Sequence, residues 1–570
     1  MSESSWEVAD RAANVLAPES GEFSDPDVAG LGKALAQAVR GSFADGGGID
    51  ATARFLTRMT MIPSLALGRW LGQDISAVVD VDAKDRRFAD PTWTNNPAFY
   101  SLRLSYAAAV AYTNEVVESG GLDPRTLEKA RVTAGLFLDA LAPTNFLALN
   151  PAALKKAFET GGRSVLEGTR NFLDDLAHNS GRPRQVDTTP FELGRNMAAT
   201  PAKVVFRNDL MELLQYEPST PQVRAVPILC SPPWINKYYV MDLSPGRSFV
   251  EWAVNHGRTV FMISYRNPGP EQSDITMDDY LISGPRQAMD VVQEITGADT
   301  IDFVGLCLGG ALTAITVAYL TAAGDTRIGN MTLLNTLLDY SQPGVLGVFT
   351  DEATVARVEQ KLAKEGHLKG ESMAGTFDML RANDLIFNYV VSNWLMGQQP
   401  PAFDILAWNS DSTRMPGKMH AFYLRHFYVE NQLPKGELEI AGSLINLGDV
   451  KQNTYVVGAE NDHIVPWRSS YAATRLLSGP VRFVLSSGGH IAGIVNPPGP
   501  KGWYVAMDTD SELPDSPDEW RQLAERHSGS WWEDWASWSD ALAGDMVDPP
   551  SMGSDTYPVL YDGPGEYIRS

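Results

Sequence analysis

Hydrophobic and polar positions follow different patterns in the two parts of the chain. Up to about residue 190, apolar side chains recur at helical spacing, most clearly at 50–56, 102–117 and 154–176. Beyond residue 204, short apolar runs separated by polar and proline-containing stretches predict strands. We therefore expect a mainly helical domain at 1–190 and a second domain at 191–570.

Six apolar runs in the second part predict the strands of one sheet. They lie at 223–230, 259–265, 301–306, 329–334, 453–458 and 481–485. Near-continuous apolar runs that alternate with helices are typical of a mostly parallel sheet covered on both faces. The gap between residues 334 and 453 is too long for a bare loop in a compact domain. We expect a helical insertion there, at about 340–450, that forms a lid.

Composition restricts the classes of protein that fit these elements. The chain has 570 residues, of which 44% are hydrophobic, and it is long enough for a large core. Its formal net charge of −24 argues against a general nucleic-acid binder, because the phosphate backbone would be repelled. A small anionic substrate in a local basic pocket stays compatible with that charge. The two cysteines fit a reducing compartment.

Two further sequence patterns indicate the cellular location of the protein. The longest near-apolar run, 310–324, is shorter than the roughly 18–20 residues that a bilayer span requires. Residues 1–7 lack the basic start and apolar stretch of a secretory signal. We expect a cytoplasmic protein without a transmembrane segment.

The segment 305–309 has the pattern of a nucleophile elbow, with Cys307 where a hydrolase would carry serine. A predicted strand precedes it and a helical signal follows it, as this motif requires. The flanking glycines allow a sharp turn and a close approach of helix to sheet. The helix N-terminus favours a thiolate at this position. Cys230 has no such context, and we interpret it as a small buried hydrophobe.

A base and a carboxylate follow Cys307 in the order that an α/β-hydrolase fold uses. Asp462 comes after the fifth predicted strand, and His490 lies in a glycine-rich turn after the sixth. The loops at the carboxyl ends of parallel strands meet at one edge of a sheet. Alone, Asp462 would be a turn residue and His490 an ordinary loop histidine, but together the three predict a Cys-His-Asp triad. The other histidines lack metal-ligand spacing, so we predict no metal site.

An oxyanion hole in this fold is built from main-chain N–H groups. One belongs to the residue after the nucleophile, here Leu308, and the other to the loop after the first predicted strand. Prolines at positions 232 and 233 of that loop cannot donate, which leaves Trp234 or Ile235. Leu308 and Ile235 are our prediction.

Motifs along most of the chain resemble those of the poly(3-hydroxyalkanoate) synthases, particularly the single-polypeptide class I type. The motifs are RFADPTW at 87–93, NFLALNP at 145–151, PPWINKYY at 232–239, GLCLGG at 305–310, YLRH at 423–426, DHIVPW at 462–467, GHIAG at 489–493 and GSWW at 529–532. The acidic stretch 508–519 departs from the family pattern.

The resemblance implies polymerisation of (R)-3-hydroxyacyl-CoA into polyester, with release of coenzyme A through a thioester on the cysteine. Cys307, Asp462 and His490 match the family's catalytic positions. No cofactor is implied, since the CoA thioester is the substrate. The resemblance also implies a homodimer at the surface of cytoplasmic polyester granules, where granule-associated proteins are further partners.

Coenzyme A is anionic, so an acidic protein needs local bases at the substrate entrance. Four bases near the predicted active-site loops are our candidates for CoA contacts, although each would otherwise be an ordinary surface cation. They are Lys237, Arg247, Arg266 and Arg425.

Two other functions fit the same sequence. A thioesterase or a polyester depolymerase would use the same triad with water as the acyl acceptor. A non-catalytic granule scaffold would carry the triad as a vestige.

Overall fold

The computed structural model describes residues 30–73, 78–82, 84–508 and 511–570. The chain divides into two compact units. The first unit consists of the described residues up to Asp187 together with Glu371–Ala402, and the second consists of Thr188–Gly370 and Phe403–Ser570. The segment Glu371–Ala402, which we had assigned to the lid of the second domain, therefore belongs to the amino-terminal unit. Residues 1–7, on which we based the expectation of no secretory signal, lie outside the described residues.

The first unit is helical in its described part. Its helices are Leu31–Ala44, Gly47–Trp70, Thr92–Asn95, Pro97–Glu118, Pro124–Ala140, Pro151–Glu159 and Arg163–His178, with 3-10 turns at Arg86–Phe88, Pro143–Asn145 and Leu147–Leu149. The later segment adds Gly370–Leu380 and the π-helical turns Asn383–Phe387 and Val390–Leu395.

Three of these helices begin at a side-chain cap followed by proline. Asn96, Asp123 and Asn150 each accept main-chain N–H groups of the first helical turn. Proline suits the next position, because its missing N–H would have no partner there and its fixed φ is already helical. The sequence thus fixes where these helices start.

The predicted single helix at 154–176 is two helices. Gly161 and Gly162 lie between them with φ values of 58° and 85°, in the left-handed region that ends a helix. The second helix then packs against the later segment of the same unit. A Cβ on Gly168 would lie 1.9 Å from the carbonyl oxygen of Trp394, so the two backbones are in direct contact.

The second unit is built on an 11-stranded sheet. In chain order its strands are β1 (Ala202–Arg207), β2 (Met211–Tyr216), β3 (Ile228–Ser231), β4 (Val260–Tyr265), β5 (Ile301–Leu306), β6 (Ile328–Leu334), β7 (Thr454–Ala459), β8 (Val481–Ser486), β9 (Trp503–Ala506), β10 (Glu525–Ser528) and β11 (Tyr561–Asp562). Across the sheet they run β10-β9-β8-β7-β6-β5-β3-β4-β2-β1-β11.

The six predicted strands form the parallel centre of this sheet, from β8 across to β4. Antiparallel strands extend it at both edges. The first two, β1 and β2, fall in the region from residue 204 where strands were expected, but none of the edge strands was among the six runs assigned to the sheet. The first predicted strand, 223–230, was too long. Its start, Val223–Arg224, pairs with Met546–Val547 outside the main sheet. Pro227, which has no N–H to donate to a strand ladder, lies between the two parts.

Helices surround the sheet. Those of the second unit are Phe249–Asn255, Met277–Leu281, Ile282–Arg286 (π), Gln287–Thr296, Leu308–Ala322, Glu352–Glu365, Asp404–Ser410, Gly417–Phe422, Tyr423–Val429 (π), Trp467–Tyr471, Ala473–Leu476, Pro517–Leu523 and Trp531–Asp540. Helix Leu308–Ala322 is buried along almost its whole length, as a helix that is apolar on every side requires. The predicted insertion between β6 and β7 is helical. Within the described ranges, no helix is both long enough and apolar enough to span a bilayer.

We predict that Gly168→Ala destabilises the amino-terminal unit by about 1–3 kcal/mol, because the added methyl would overlap the carbonyl of Trp394. Gly135→Ala is the matched control, since among described atoms none lies within 4 Å of the added Cβ. That control should gain about 0.5–1 kcal/mol from the lower entropy of the unfolded chain. Thermal unfolding followed by circular dichroism measures both. Equal melting temperatures for Gly168→Ala and Gly135→Ala would show that the main chain at Gly168 does not pack directly against that of Trp394.

Candidate active site

Cys307 lies at the turn between β5 and helix Leu308–Ala322. Its φ of 54° and ψ of −115° are strained for a residue with a side chain. The main chain is held there, because the N–H of Cys307 donates to the carbonyl oxygen of Leu334 in β6 at 2.8 Å. This is the sharp strand-to-helix turn that a nucleophile elbow requires.

Three glycines make this turn sterically feasible. A Cβ on Gly305 would lie 2.5 Å from the Cα of Gly310, and a Cβ on Gly310 would lie 1.9 Å from the hydroxyl oxygen of Thr336. A Cβ on Gly309 would lie 2.1 Å from the carbonyl oxygen of Ser231. The helix therefore starts in direct contact with the ends of the neighbouring strands.

The structure brings Asp462 and His490 together at the carboxyl ends of β7 and β8. Oδ2 of Asp462 lies 2.6 Å from Nδ1 of His490. Oδ1 of Asp462 accepts the N–H groups of Ile464 at 2.8 Å and Val465 at 2.9 Å. Both carboxylate oxygens are thus hydrogen-bonded, which satisfies a charge whose side chain is 0% exposed.

His490 connects this carboxylate to the cysteine. Its imidazole is hydrogen-bonded to Asp462 and lies in electrostatic contact with Cys307. Burial by itself would lower the pKa of His490, but its interactions with the charges of Asp462 and Cys307 raise it well above the usual value. Such an imidazole holds a proton at neutral pH and can stabilise a thiolate beside it.

Three buried tyrosines face the cysteine, and our sequence analysis missed them. Burial and the charge of Cys307 both raise the pKa values of Tyr340, Tyr423 and Tyr428. The hydroxyls of Tyr423 and Tyr428 lie 3.4 Å apart. Both residues lie in the π-helical turn Tyr423–Val429, in which residues five apart come together. Three buried phenols therefore lie within electrostatic range of the sulfur.

The predicted oxyanion donors lie on either side of the elbow. Leu308 is the first residue of its helix, so its N–H has no acceptor within that helix. The loop that contains Ile235 begins at Ser231, whose carbonyl contacts Gly309 in the first helical turn. The loop is thus adjacent to the turn that carries Cys307, while the identity of its donor stays a prediction.

The four predicted CoA bases all have partners within the second unit. The Lys237 ammonium donates to the carbonyl oxygens of Ile568 and Ser570 at 2.7 Å, and burial lowers its pKa. Arg425 forms a two-pronged ion pair with Glu359.

The other two bases are more accessible. Arg247 pairs with Asp404 and Arg266 with Glu271, and their side chains are 32% and 33% exposed, respectively. Of the four, these two are best placed to meet a ligand from solvent.

Cys230 is more deeply buried than Cys307 and lies in a strand rather than at a turn. It lies within β3, is 1% exposed, and burial raises the pKa of its thiol above the usual range. A buried thiol of this kind is unreactive, which agrees with its interpretation as a packing residue.

Comparison with known proteins relates this chain to two families of sequence. Residues 84–253 match the family described as "Poly-beta-hydroxybutyrate polymerase (PhaC) N-terminus", and residues 234–497 match "alpha/beta hydrolase fold". The second match confirms the predicted fold class.

Curated relatives match over most of their length. A poly(3-hydroxyalkanoate) polymerase of Methylorubrum extorquens is 39% identical over 506 residues, which cover 88% of this chain and 84% of the relative. The polymerase subunit PhaC of Cupriavidus necator is 40% identical over 493 residues, which cover 85% of this chain and 83% of the relative. The corresponding subunit of Rhizobium meliloti is 38% identical over 524 residues, with 91% and 85% covered.

We predict that His490→Gln slows the alkylation of Cys307 by iodoacetamide at pH 7 by about tenfold or more, since a free cysteine is only a few per cent thiolate there. With His490 present, its raised pKa keeps the imidazolium beside the sulfur as pH rises through neutrality. The rate should therefore stay nearly constant in that range, whereas in the variant it should climb steadily with pH.

The control for this measurement is His178→Gln, which removes a histidine whose side chain is 72% exposed. It should leave the alkylation profile unchanged. The same profile in His490→Gln as in the unaltered protein would show that the imidazole does not activate the sulfur.

Proposed function

This chain belongs to the poly(3-hydroxyalkanoate) polymerase family, and we propose that it polymerises (R)-3-hydroxyacyl-CoA with release of coenzyme A, through a thioester on Cys307. The observation that supports this mechanism is one imidazole that is hydrogen-bonded to a carboxylate and in electrostatic contact with a cysteine at a nucleophile elbow. Cys307 is the proposed nucleophile, His490 the base and Asp462 the residue that orients the base.

In the first proposed step, the Cys307 thiolate attacks the thioester carbonyl of the substrate. The N–H groups of Leu308 and Ile235 hold the oxyanion of the tetrahedral intermediate. The bond from carbon to the sulfur of coenzyme A then breaks, and the departing thiolate takes the proton from His490. One thioester replaces another, so the acyl group stays activated. The reaction requires no resident cofactor.

In the second proposed step, the 3-hydroxyl of another hydroxyacyl unit attacks the carbonyl of the Cys307 thioester. His490 takes the hydroxyl proton, an ester bond forms and the bond to the cysteine sulfur breaks. General-base assistance of this kind is typically worth about 10²–10⁴ in rate. We propose that Asp462 mainly orients the imidazole and stabilises its charge, with a secondary part in activating the hydroxyl.

The choice between a hydroxyl and water as acceptor is the point at which a polymerase differs from a hydrolase. The surroundings of the cysteine include three buried tyrosines of the insertion between β6 and β7, each in electrostatic contact with Cys307. We propose that these side chains limit the access of bulk water and so favour an acceptor that is delivered bound. We propose that coenzyme A approaches past Arg247 and Arg266, the two more exposed of the predicted bases.

The amino-terminal unit offers a surface for the polyester granule. Large apolar side chains are exposed on several of its helices, and Phe158 is the extreme case at 90% exposure. Other members are Trp70, Leu71, Phe137 and Leu141. A contiguous apolar surface of a soluble protein marks an interaction site, and we propose that these side chains contribute to one. We propose that this unit binds the granule in the cytoplasm and that the protein acts as a homodimer, with granule-associated proteins as further partners.

We predict that purified protein converts 3-hydroxybutyryl-CoA into insoluble polyester with release of coenzyme A, and that Cys307→Ala abolishes both. Cys230→Ala is the matched control, because it removes the other cysteine of the chain, and it should retain most of the turnover. A thiol reagent measures released coenzyme A, and chromatography separates polymer from free acid.

Other outcomes of this experiment would indicate the alternative functions or exclude the proposed nucleophile. Free 3-hydroxybutyrate formed at the rate of coenzyme A release would show a hydrolase. Unchanged polymerisation by Cys307→Ala would exclude this cysteine as the nucleophile. Inactivity of the unaltered protein, combined with binding to granules, would favour the scaffold.

We predict that Phe158→Asp weakens binding to poly(3-hydroxybutyrate) particles by about tenfold, since full burial of such a side chain is worth roughly 1.5–3 kcal/mol. Lys156→Asp places the same carboxylate on the same helix without loss of apolar surface and should bind more tightly than Phe158→Asp. Co-sedimentation with the particles measures both. Equal affinities would indicate that the granule binds elsewhere.

A further inference from the structure

The carboxyl end of β6 is hydrogen-bonded to three segments of the active site. Leu334, the last residue of the strand, accepts the N–H of Cys307 at 2.8 Å. Asn335 donates its own N–H to the carbonyl oxygen of Val457 at 2.8 Å, in the strand that leads to the carboxylate loop. The side-chain Nδ2 of Asn335 donates to the main-chain oxygen of His490 at 2.6 Å. Two consecutive residues thus connect all three loops.

We propose that Asn335 is a positioning residue, whose side-chain amide fixes the main chain of His490 and thereby the placement of its imidazole against Cys307. This inference rests on the proposed function, in which that imidazole takes the thiol proton. Asn335 touches neither substrate nor the reacting atoms in this role.

The backbone at Asn335 suits this residue type. Its φ is 42°, in the left-handed region, where asparagine is tolerated better than most other residues with a side chain. The residue is 0% exposed. From the same position, its main-chain N–H joins β7 and its amide joins the histidine loop.

The amide of Asn335 is the hydrogen bond that holds His490 itself within its loop. Gly488 and Gly489 precede His490, and Gly488 has a φ of 112°, which residues with a side chain rarely adopt. The carbonyl oxygens of these two glycines accept the N–H groups of Asn461 at 2.9 Å and Gly493 at 2.7 Å, respectively. Asp462 holds the imidazole at one atom, Nδ1. A ring held at a single atom can pivot about that contact. The amide of Asn335 supplies a second fixed point on the same residue, which sets the direction in which the other ring nitrogen faces.

The ionisable groups in electrostatic contact with His490 are Asp462 and Cys307. Cys307 in turn faces the phenols of Tyr340, Tyr423 and Tyr428. Asn335 is neutral, so replacing it with another neutral residue leaves all of these charges in place. A change in the pH dependence of Cys307 alkylation would then show that the imidazole of His490 has changed its position relative to the sulfur.

The test compares Asn335→Gly, which keeps the left-handed backbone and removes the amide, with Asn330→Ala, which removes an amide from the other end of β6. For Asn335→Gly we expect kcat for coenzyme A release to fall about tenfold, as for loss of one neutral hydrogen bond, with KM little changed. The rate of Cys307 alkylation should lose its plateau near neutral pH and climb with pH. Asn330→Ala should keep the plateau and kcat even if it lowers the melting temperature.

Asn335→Leu is the second variant, because it stays neutral and keeps the approximate size of the side chain but has no amide to donate to the carbonyl of His490. It should lose the plateau as well. The proposal is overturned if both Asn335 variants retain the kcat and alkylation profile of the unaltered protein. That result, together with an inactive Cys307→Ala, would leave the proposed function standing. Full polymerisation by Cys307→Ala would overturn the proposed function itself. The alkylation profiles of the Asn335 variants, which retain Cys307, would still test whether Asn335 positions His490.

Discussion

The active site depends on the close approach of one helix to the sheet. Helix Leu308–Ala322 begins where no Cβ fits at Gly305, Gly309 or Gly310, because backbone or hydroxyl atoms of neighbouring segments already occupy that space. The approach forces Cys307 into a strained conformation and brings the first turn of the helix against Ser231. The nucleophile and its proposed oxyanion donors are therefore consequences of one packing contact.

Charge within the site is balanced locally, although the whole chain is strongly acidic at −24. Every oxygen of the Asp462 carboxylate has a hydrogen-bond donor, and the imidazole between that carboxylate and Cys307 has a raised pKa. Breaking a buried pair by removing one partner is costly, because it leaves an uncompensated charge. The coupling that is proposed to activate the sulfur would therefore also hold the three loops together.

The sequence was most informative where the chemistry requires particular residue types at particular places. The six central strands could be predicted because strands buried on both faces are apolar throughout. The edge strands could not, since β10 is exposed along its length and β11 has only two residues. Asn335 and the three tyrosines follow no motif spacing, and their role emerges only when the chain is folded. Likewise, no local pattern shows that Glu371–Ala402 packs with helices about 200 residues earlier.

The pairing of β1 with β11 joins Lys203 to Asp562, residues 359 positions apart. Contacts so distant along the chain form slowly, because a long loop must close first. During synthesis, β1 and β2 emerge long before the strand that covers their outer edge. An uncovered strand edge is a template for pairing with other chains. The nascent polypeptide thus passes through a period of vulnerability to aggregation that ends only when residues 561–562 dock.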